Sequence, residues 1–373
     1  MMLLEVINIE YESLIATTEK LIAFQNILDS YGSGENLVLV EDNLLAIIMT
    51  SSEFGTVSKT QASNLRENLR EIKNVTDYLS TYIRVDFSTT NSTEAREVAN
   101  KIIRTISYNY FEKRNNFSPI NLLCENTLDC SLYDIIGQYK ITKNKLSLKI
   151  NTSHFNGGGG QIKEHYYTNR AENKFCLCIV DNDKKHPNGP TGDTCKAFST
   201  YDKGIFPFTQ VFVLDLHEIE SLIPHKTINQ YVTKNRRNTE HIDSVDILKI
   251  MQKHNFFTKV YLDHKNGLTL NQAINLDNLH GPFWIESIKT LSTLPTKKHD
   301  NNCLNSGKCN CDPECRVIYG FGDKLLRESI NIYKRTSRNK LQECLDKETE
   351  NIWDNIGTEI FSWGCAPPAK AIS

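Results

Sequence analysis

Apolar positions along the chain change period twice. In TEKLIAFQNILDSY (18–31) they recur at helical spacing, and LVLVED (37–42) reads as a strand. TEAREVANKIIRTISYNYFEKR (93–114) reads as one long helix, with Thr93 as N-cap and Glu94 and Glu97 in its first turn. Pro119 in FSPI then punctuates the chain. From there strands and helices alternate. INLLC (120–124), LSLKI (146–150), KFCLCIV (174–180) and TQVFVLD (209–215) are strand-like, and helices are expected at TLDCSLYDIIGQY (127–139) and near QIKEHYYTNRA (161–171). After about residue 225 the pattern is mainly helical, in SVDILKIMQKHNF, LNQAINLDNL, GPFWIESIKTL and DKLLRESINIYKRTSRNKLQECLDK.

This organisation predicts an α/β chain in three parts. Residues 1–117 form an N-terminal mixed α/β or helical domain, 118–228 a parallel sheet with flanking helices, and 229–373 a mainly helical C-terminal region. In such a sheet a ligand sits beyond the carboxyl ends of the strands.

Composition narrows the class. The 373 residues carry 43 Lys plus Arg against 45 Asp plus Glu, so a uniformly basic coat for nucleic acid is excluded while a local basic groove is not. Apolar stretches such as Leu44 to Met49 are too short to span a bilayer, and Glu5 and Glu10 read against a signal peptide, so a cytoplasmic chain with no membrane partner is expected. In that setting eleven cysteines are expected to be thiols. Cys176 and Cys178, alternating in FCLCIV, read as small buried hydrophobes.

Carboxylates collect where the strands end. Glu125 closes INLLC, and Asp129 follows four residues on, which would share a helical face. NGGGG (156–160) supplies a tight turn after the second strand. Asp181 and Asp183 follow the apolar run of the third, and Glu218 and Glu220 follow the fourth in LDLHEIESLIP. Taken singly, the Asp pair is ordinary turn chemistry, and HEIES is most simply a solvated helix start. Together they describe clustered carboxylates, which repel one another unless a hard cation such as Mg²⁺ or Mn²⁺ neutralises them.

LLCENTLDCSLYDIIG, LKINTSHFNGGGG, CLCIVDNDKKHP and VFVLDLHEIESLIP together resemble the Toprim domain shared by topoisomerases, bacterial primases and OLD-type nucleases, over about 105 of the 373 residues. The resemblance implies a Toprim-like fold and a metal-dependent nuclease cleaving phosphodiester bonds in DNA or RNA, tRNA included, as the effector of an anti-phage defence system. It matches Glu125 to the family's catalytic glutamate and Asp181 and Asp183 to its Mg²⁺-binding pair, with Glu220 as a further ligand. Asp129, Glu218, Lys184 and Lys185 would support them, the lysines by contacting the scissile phosphate. Glu41 ends a similar strand but lacks the glycine turn. OLD-type proteins carry an ATPase, and this chain has no G-x4-G-K-[ST] loop, so an ATPase or sensor protein would act in trans; a homo-oligomer is also open. Two other readings stand beside this one: a Mn²⁺-dependent nucleotide-sugar transferase using the Asp-x-Asp, and a Toprim partner-binding subunit without activity.

Basic stretches at 234–237, 297–298 and 333–340 are candidates for holding a nucleic-acid backbone. Cys303, Cys309, Cys311 and Cys315, spaced C-x5-C-x-C-x3-C, suit a structural Zn²⁺, with His299 as a substitute ligand and Gly307 and Pro313 shaping a knuckle.

Overall fold

The computed structural model describes residues 2–201, 204–235, 239–291, 301–311 and 314–368. The basic residues Arg236, Arg237, Lys297 and Lys298, together with His299 and Pro313, therefore lie outside the described residues, as do the side chains of Arg338 and Asn339. The chain is α/β and divides into two compact units that are interleaved in sequence. One comprises 1–178, 202–211 and 354–373, the other 179–201 and 212–353.

The first unit begins with a five-stranded sheet. Its strands are β1 (Leu4–Ile7), β2 (Val38–Leu39), β3 (Thr81–Asp86), β4 (Thr93–Val98) and β5 (Lys101–Ser107), in the order β2-β1-β3-β5-β4. All neighbours are parallel except the edge pair β4–β5. The helix Thr18–Gly32 forms as its spacing predicts and buries Phe24, Ile27 and Leu28.

The long helix expected over 93–114 is not there: β4 and β5 form an antiparallel ribbon instead. Its two-residue turn places Ala99 at φ +50° and Asn100 at φ +62°, the left-handed pair that lets strands twist back on each other. Ile102, Ile103, Thr105 and Ile106 are β-branched and pair with β3. Arg104, which a helical reading would leave in solvent, is fully buried. Its guanidinium lies 4.4 Å from the Trp363 ring centroid and donates to the Phe206 carbonyl and to Gln210 Oε1 (2.7 Å). Burial pulls its pKa down to about 10. Tertiary partners outweighed local helix signals here.

The next strands are β6 (Ile120–Cys124), β7 (Lys149–Ile150), β8 (Thr152–Asn156), β9 (Cys176–Val180) and β10 (Thr209–Val213), and all but β7 form a second sheet. Its order is β10-β9-β6-β8, and β6 runs parallel to both β8 and β9. The second strand lies later than LSLKI implied. Thr152–Asn156 joins β6, while Lys149–Ile150 pairs with β13 (Cys365–Ala366). β8 is a half-exposed edge with no apolar run to announce it. Cys176 and Cys178 are fully buried in β9, and burial pushes the Cys176 thiol far up, as befits a packing residue.

The helix Thr127–Lys143 follows β6, and the glycines follow β8. Gly157 N–H donates to Cys124 O at 2.7 Å, and a Cβ there would sit 2.8 Å from that oxygen. Only glycine lets the two strand ends approach so closely. β9 and β10 pass from the first unit to the second at residues 178–179 and 211–212.

The second unit contains the helices His225–Lys234, Thr239–His254, Leu270–His280 and Leu325–Arg335. It also holds an antiparallel ribbon of β11 (Gly267–Thr269) and β12 (Arg316–Tyr319) that the helical reading of this region did not anticipate. Its floor is apolar, with Leu268, Val317 and Ile318 buried.

Candidate functional site

Three segments of the second unit converge on one group of carboxylates. Leu214 N–H donates to Val180 O (2.9 Å) and Asn182 N–H to Leu216 O (3.0 Å), which lays 214–216 along the end of β9. Asn182 then serves as a hinge pin, its side chain donating to Asp215 and its own Oδ1 accepting from Lys184 N–H. Asp181 Oδ2 accepts from Ile219 N–H at 2.9 Å. Asp183 takes a left-handed φ of +58°, and Gly192 lies so close that a Cβ would be 2.0 Å from Asp183 Oδ2. The third segment joins when His217 N–H donates to Val260 O and His264 N–H donates to Glu218 Oε1.

Glu218 and Glu220 are buried, so the segment HEIES is not a solvated helix start but a 3-10 turn (Ile219–Leu222) inside the unit. One ammonium serves both acids: Lys265 Nζ is 3.2 Å from Glu220 Oε1 and 3.6 Å from Glu218 Oε2. Glu220 Oε2 is buried and has no hydrogen-bond partner among the described residues. Loss of water raises the pKa of both carboxyls; the charge on Glu218 raises that of Glu220 further, and Lys265 offsets part of the rise. Asp183 faces solvent, yet the protein packed behind its carboxyl also raises its pKa, against the pull of His217 and Lys185. Glu218 and Glu220 are thus two buried acids sharing one ammonium, a local excess of negative charge. Among the described residues these carboxylates form no group of three or more arranged to hold a metal ion.

Lys265, Asp263, His264 and His217 were not singled out from sequence. The signal was present in YLDHK (261–265), where an apolar run ends in alternating charge much as VFVLDLHE does. Lys185 is exposed, with its ammonium 3.6 Å from Asp263, and Lys184 is half-buried.

The remaining predicted carboxylates lie in the first unit. Glu125 follows β6 and is half-buried. It precedes the N-cap Asn126, so the helical face it was to share with Asp129 does not form. Asp129 instead closes a capping box, accepting from Asn126 N–H at 2.9 Å while Asn126 Oδ1 accepts from Leu128 N–H. Glu41 is an N-cap position whose neighbour Asp42 pairs with Arg66 at 2.7 Å.

A separate group lies in 303–315. The Sγ atoms of Cys303, Cys309, Cys311 and Cys315 all lie within 4.8 Å of one another, and Cys303 and Cys311 are 3.5 Å apart. Four thiolates around a tetrahedral ion with ~2.3 Å bonds would be about 3.8 Å apart, which falls inside that spread. Three of the four are buried, and all are free thiols. Gly307, at φ +65°, makes the turn between Cys303 and Cys309. The Asn271 side chain clamps Cys309 through both its backbone groups (2.9 and 3.1 Å), and Leu270 N–H donates to Cys315 O. Hydrogen bonds from the Cys315 and Cys311 backbone draw the Cys309 thiol down to about 7, whereas Cys315 is pushed up to about 12 by burial. The cluster can hold a metal ion.

No protein-family model, curated protein or solved structure matches this chain.

Proposed function

We propose that this chain is a Toprim-like nuclease, cleaving phosphodiester bonds in DNA or RNA with Mg²⁺ or Mn²⁺. The observation that carries the reading is the buried pair Glu218 and Glu220, with one lysine between them and one carboxylate oxygen unpartnered. By the Toprim resemblance Asp181 and Asp183 would be the cation-binding pair, with Glu220 as a further ligand and Glu218 in support, and Glu125 would be the catalytic glutamate, as ligand or general base. A bound divalent ion supplies Lewis acidity and lowers the pKa of its water. Lys265 pairs with both glutamates, and the Ile219 N–H donates to the Asp181 carboxylate and orients it. Lys185, exposed and 3.6 Å from Asp263, would offer its charge to a substrate phosphate. Zn²⁺ in the four-cysteine cluster would be structural, since four thiolates leave no open position. A partner ATPase or sensor would restrain the activity, and phage defence is the setting the resemblance suggests.

The test is cleavage of plasmid and of tRNA with Mg²⁺. Glu125→Gln and Asp181→Asn should each lower the rate by ~10²-fold or more with unchanged melting temperature, EDTA should abolish cleavage, and Glu41→Gln should leave it intact. Full cleavage by both variants would overturn the assignment.

A further inference from the structure

Beside the carboxylates, and lined by none of them, lies a polar pocket of about 300 Å³. That volume is at the lower edge of ordinary ligand sites, which run from ~300 Å³. Its basic side chains are His241, Lys265 and Arg316, and Asn266, Thr269 and Gln272 add polar groups. In a chain whose 43 Lys plus Arg are outnumbered by 45 Asp plus Glu, a lysine, an arginine and a histidine without a carboxylate in one concavity are a local departure from composition. We propose that this pocket binds a phosphate group.

The pocket is built rather than incidental. β11 and β12 pair with Gly267 opposite Tyr319 and Thr269 opposite Arg316, so both sides of the ribbon contribute to it. The backbones meet too closely for side chains: a Cβ on Gly267 would be 2.1 Å from Ile318 O, and one on Gly320 2.1 Å from Lys265 O. The turn carrying Lys265 is pinned by Gly267 N–H to Asp263 O (2.7 Å), Asn266 N–H to Asp263 Oδ1 (2.8 Å) and Gly322 N–H to Lys265 O (3.1 Å).

Tyr319 orders the other two basic side chains. Its hydroxyl donates to Glu240, its ring lies 5.8 Å from the His241 ring, and the Arg316 guanidinium lies 5.8 Å from its centroid. Arg316 spends one nitrogen on Asn266 O, a long contact of 3.4 Å, and its side chain is otherwise exposed. A guanidinium has five donors in a fork that matches a phosphate. Glu218 and Glu220, which would repel an anion, do not line the pocket and are paired with Lys265 at 3.6 and 3.2 Å, which leaves Arg316 as the cation not already held by an acid. The helix Leu270–His280 starts at Thr269, so its positive end adds to the same field.

The inference goes beyond the nuclease reading and does not rest on it, because binding is measured without divalent metal and with the carboxylates untouched. The phosphate could be free or part of a nucleic-acid backbone. Calorimetric titration with inorganic phosphate and fluorescence anisotropy of a labelled single-stranded oligonucleotide, both in EDTA, separate the two. Arg316→Ala should weaken binding about tenfold or more, Arg316→Lys should restore part of it, and His241→Gln should weaken it a few-fold. Arg316 is exposed, so melting temperature should not change. Loss for phosphate and oligonucleotide alike supports a general phosphate site, and loss for the oligonucleotide alone supports a backbone contact. Wild-type protein that binds neither, or binding that Arg316→Ala and His241→Gln leave unchanged, overturns the proposal.

Discussion

Cys303, Cys309, Cys311 and Cys315 reach one another across 13 residues of chain, whereas Asp181, Glu218, Glu220 and Lys265 come from three stretches spread over 85. The thiols need only a short helix, a left-handed glycine and one asparagine clamp to meet. The carboxylates need β9, the turn at 219–222 and the 258–265 segment all in place before one lysine can face two acids. Local closure costs little chain entropy, so spacing alone announces such a cluster. A group assembled over long range is paid for by the whole fold, and its members look ordinary one at a time.

The sharpest way to break this contrast is to remove the local group. Cys309→Ser with Cys311→Ser should release about one metal ion per chain, read by elemental analysis, and lower the melting temperature by ~10 °C or more. The same metal content and melting curve in variant and wild type would show that the thiols meet without an ion.

Next in size is the ammonium of the dispersed group. Lys265→Met leaves Glu218 and Glu220 facing each other without a cation, which should destabilise the fold by about 2 kcal/mol at neutral pH by urea titration. Both carboxyls already have pKa values raised in the fold, so as pH rises the unfolded chain loses its protons first and stability falls across that window. The deficit of the variant should therefore vanish near pH ~4 and grow above it. A pH-independent deficit would mean that Lys265 acts through packing.

The smallest expected effect concerns Asp129, which the sequence placed with the site and the structure gives to a capping box. Asp129→Ala should cost about 1 kcal/mol of stability. Cleavage measured well below the melting transition should be unaffected, and a large loss of rate at unchanged stability would return Asp129 to the site.

These residues also show why legibility was uneven. INLLC, the helix after it and KFCLCIV could be placed from their apolar runs, because strands buried on both faces have few alternatives. The 93–114 segment could not, since Thr93, Glu94 and Glu97 imitate a helix start and only β3 and the partners of Arg104 favour a strand. β8 escaped notice because an edge strand needs no apolar run. Lys265 was invisible as a site residue because a lone lysine carries no signal until acids 45 and 47 residues earlier fold against it.

By itself the sequence determined the α/β alternation, the acids after β6 and β9, the glycines that let β8 approach β6, and the spacing that gathers four thiols. These rest on periodicity, steric need and short loops, which neighbouring residues fix among themselves. Only the tertiary structure decided that Glu218 and Glu220 are buried, that Lys265 lies between them, that Asp129 caps a helix and that Arg316 joins Lys265 in one pocket. Burial and charge pairing depend on which distant segments exclude water from a side chain, and that is a property of the assembled unit rather than of any stretch within it.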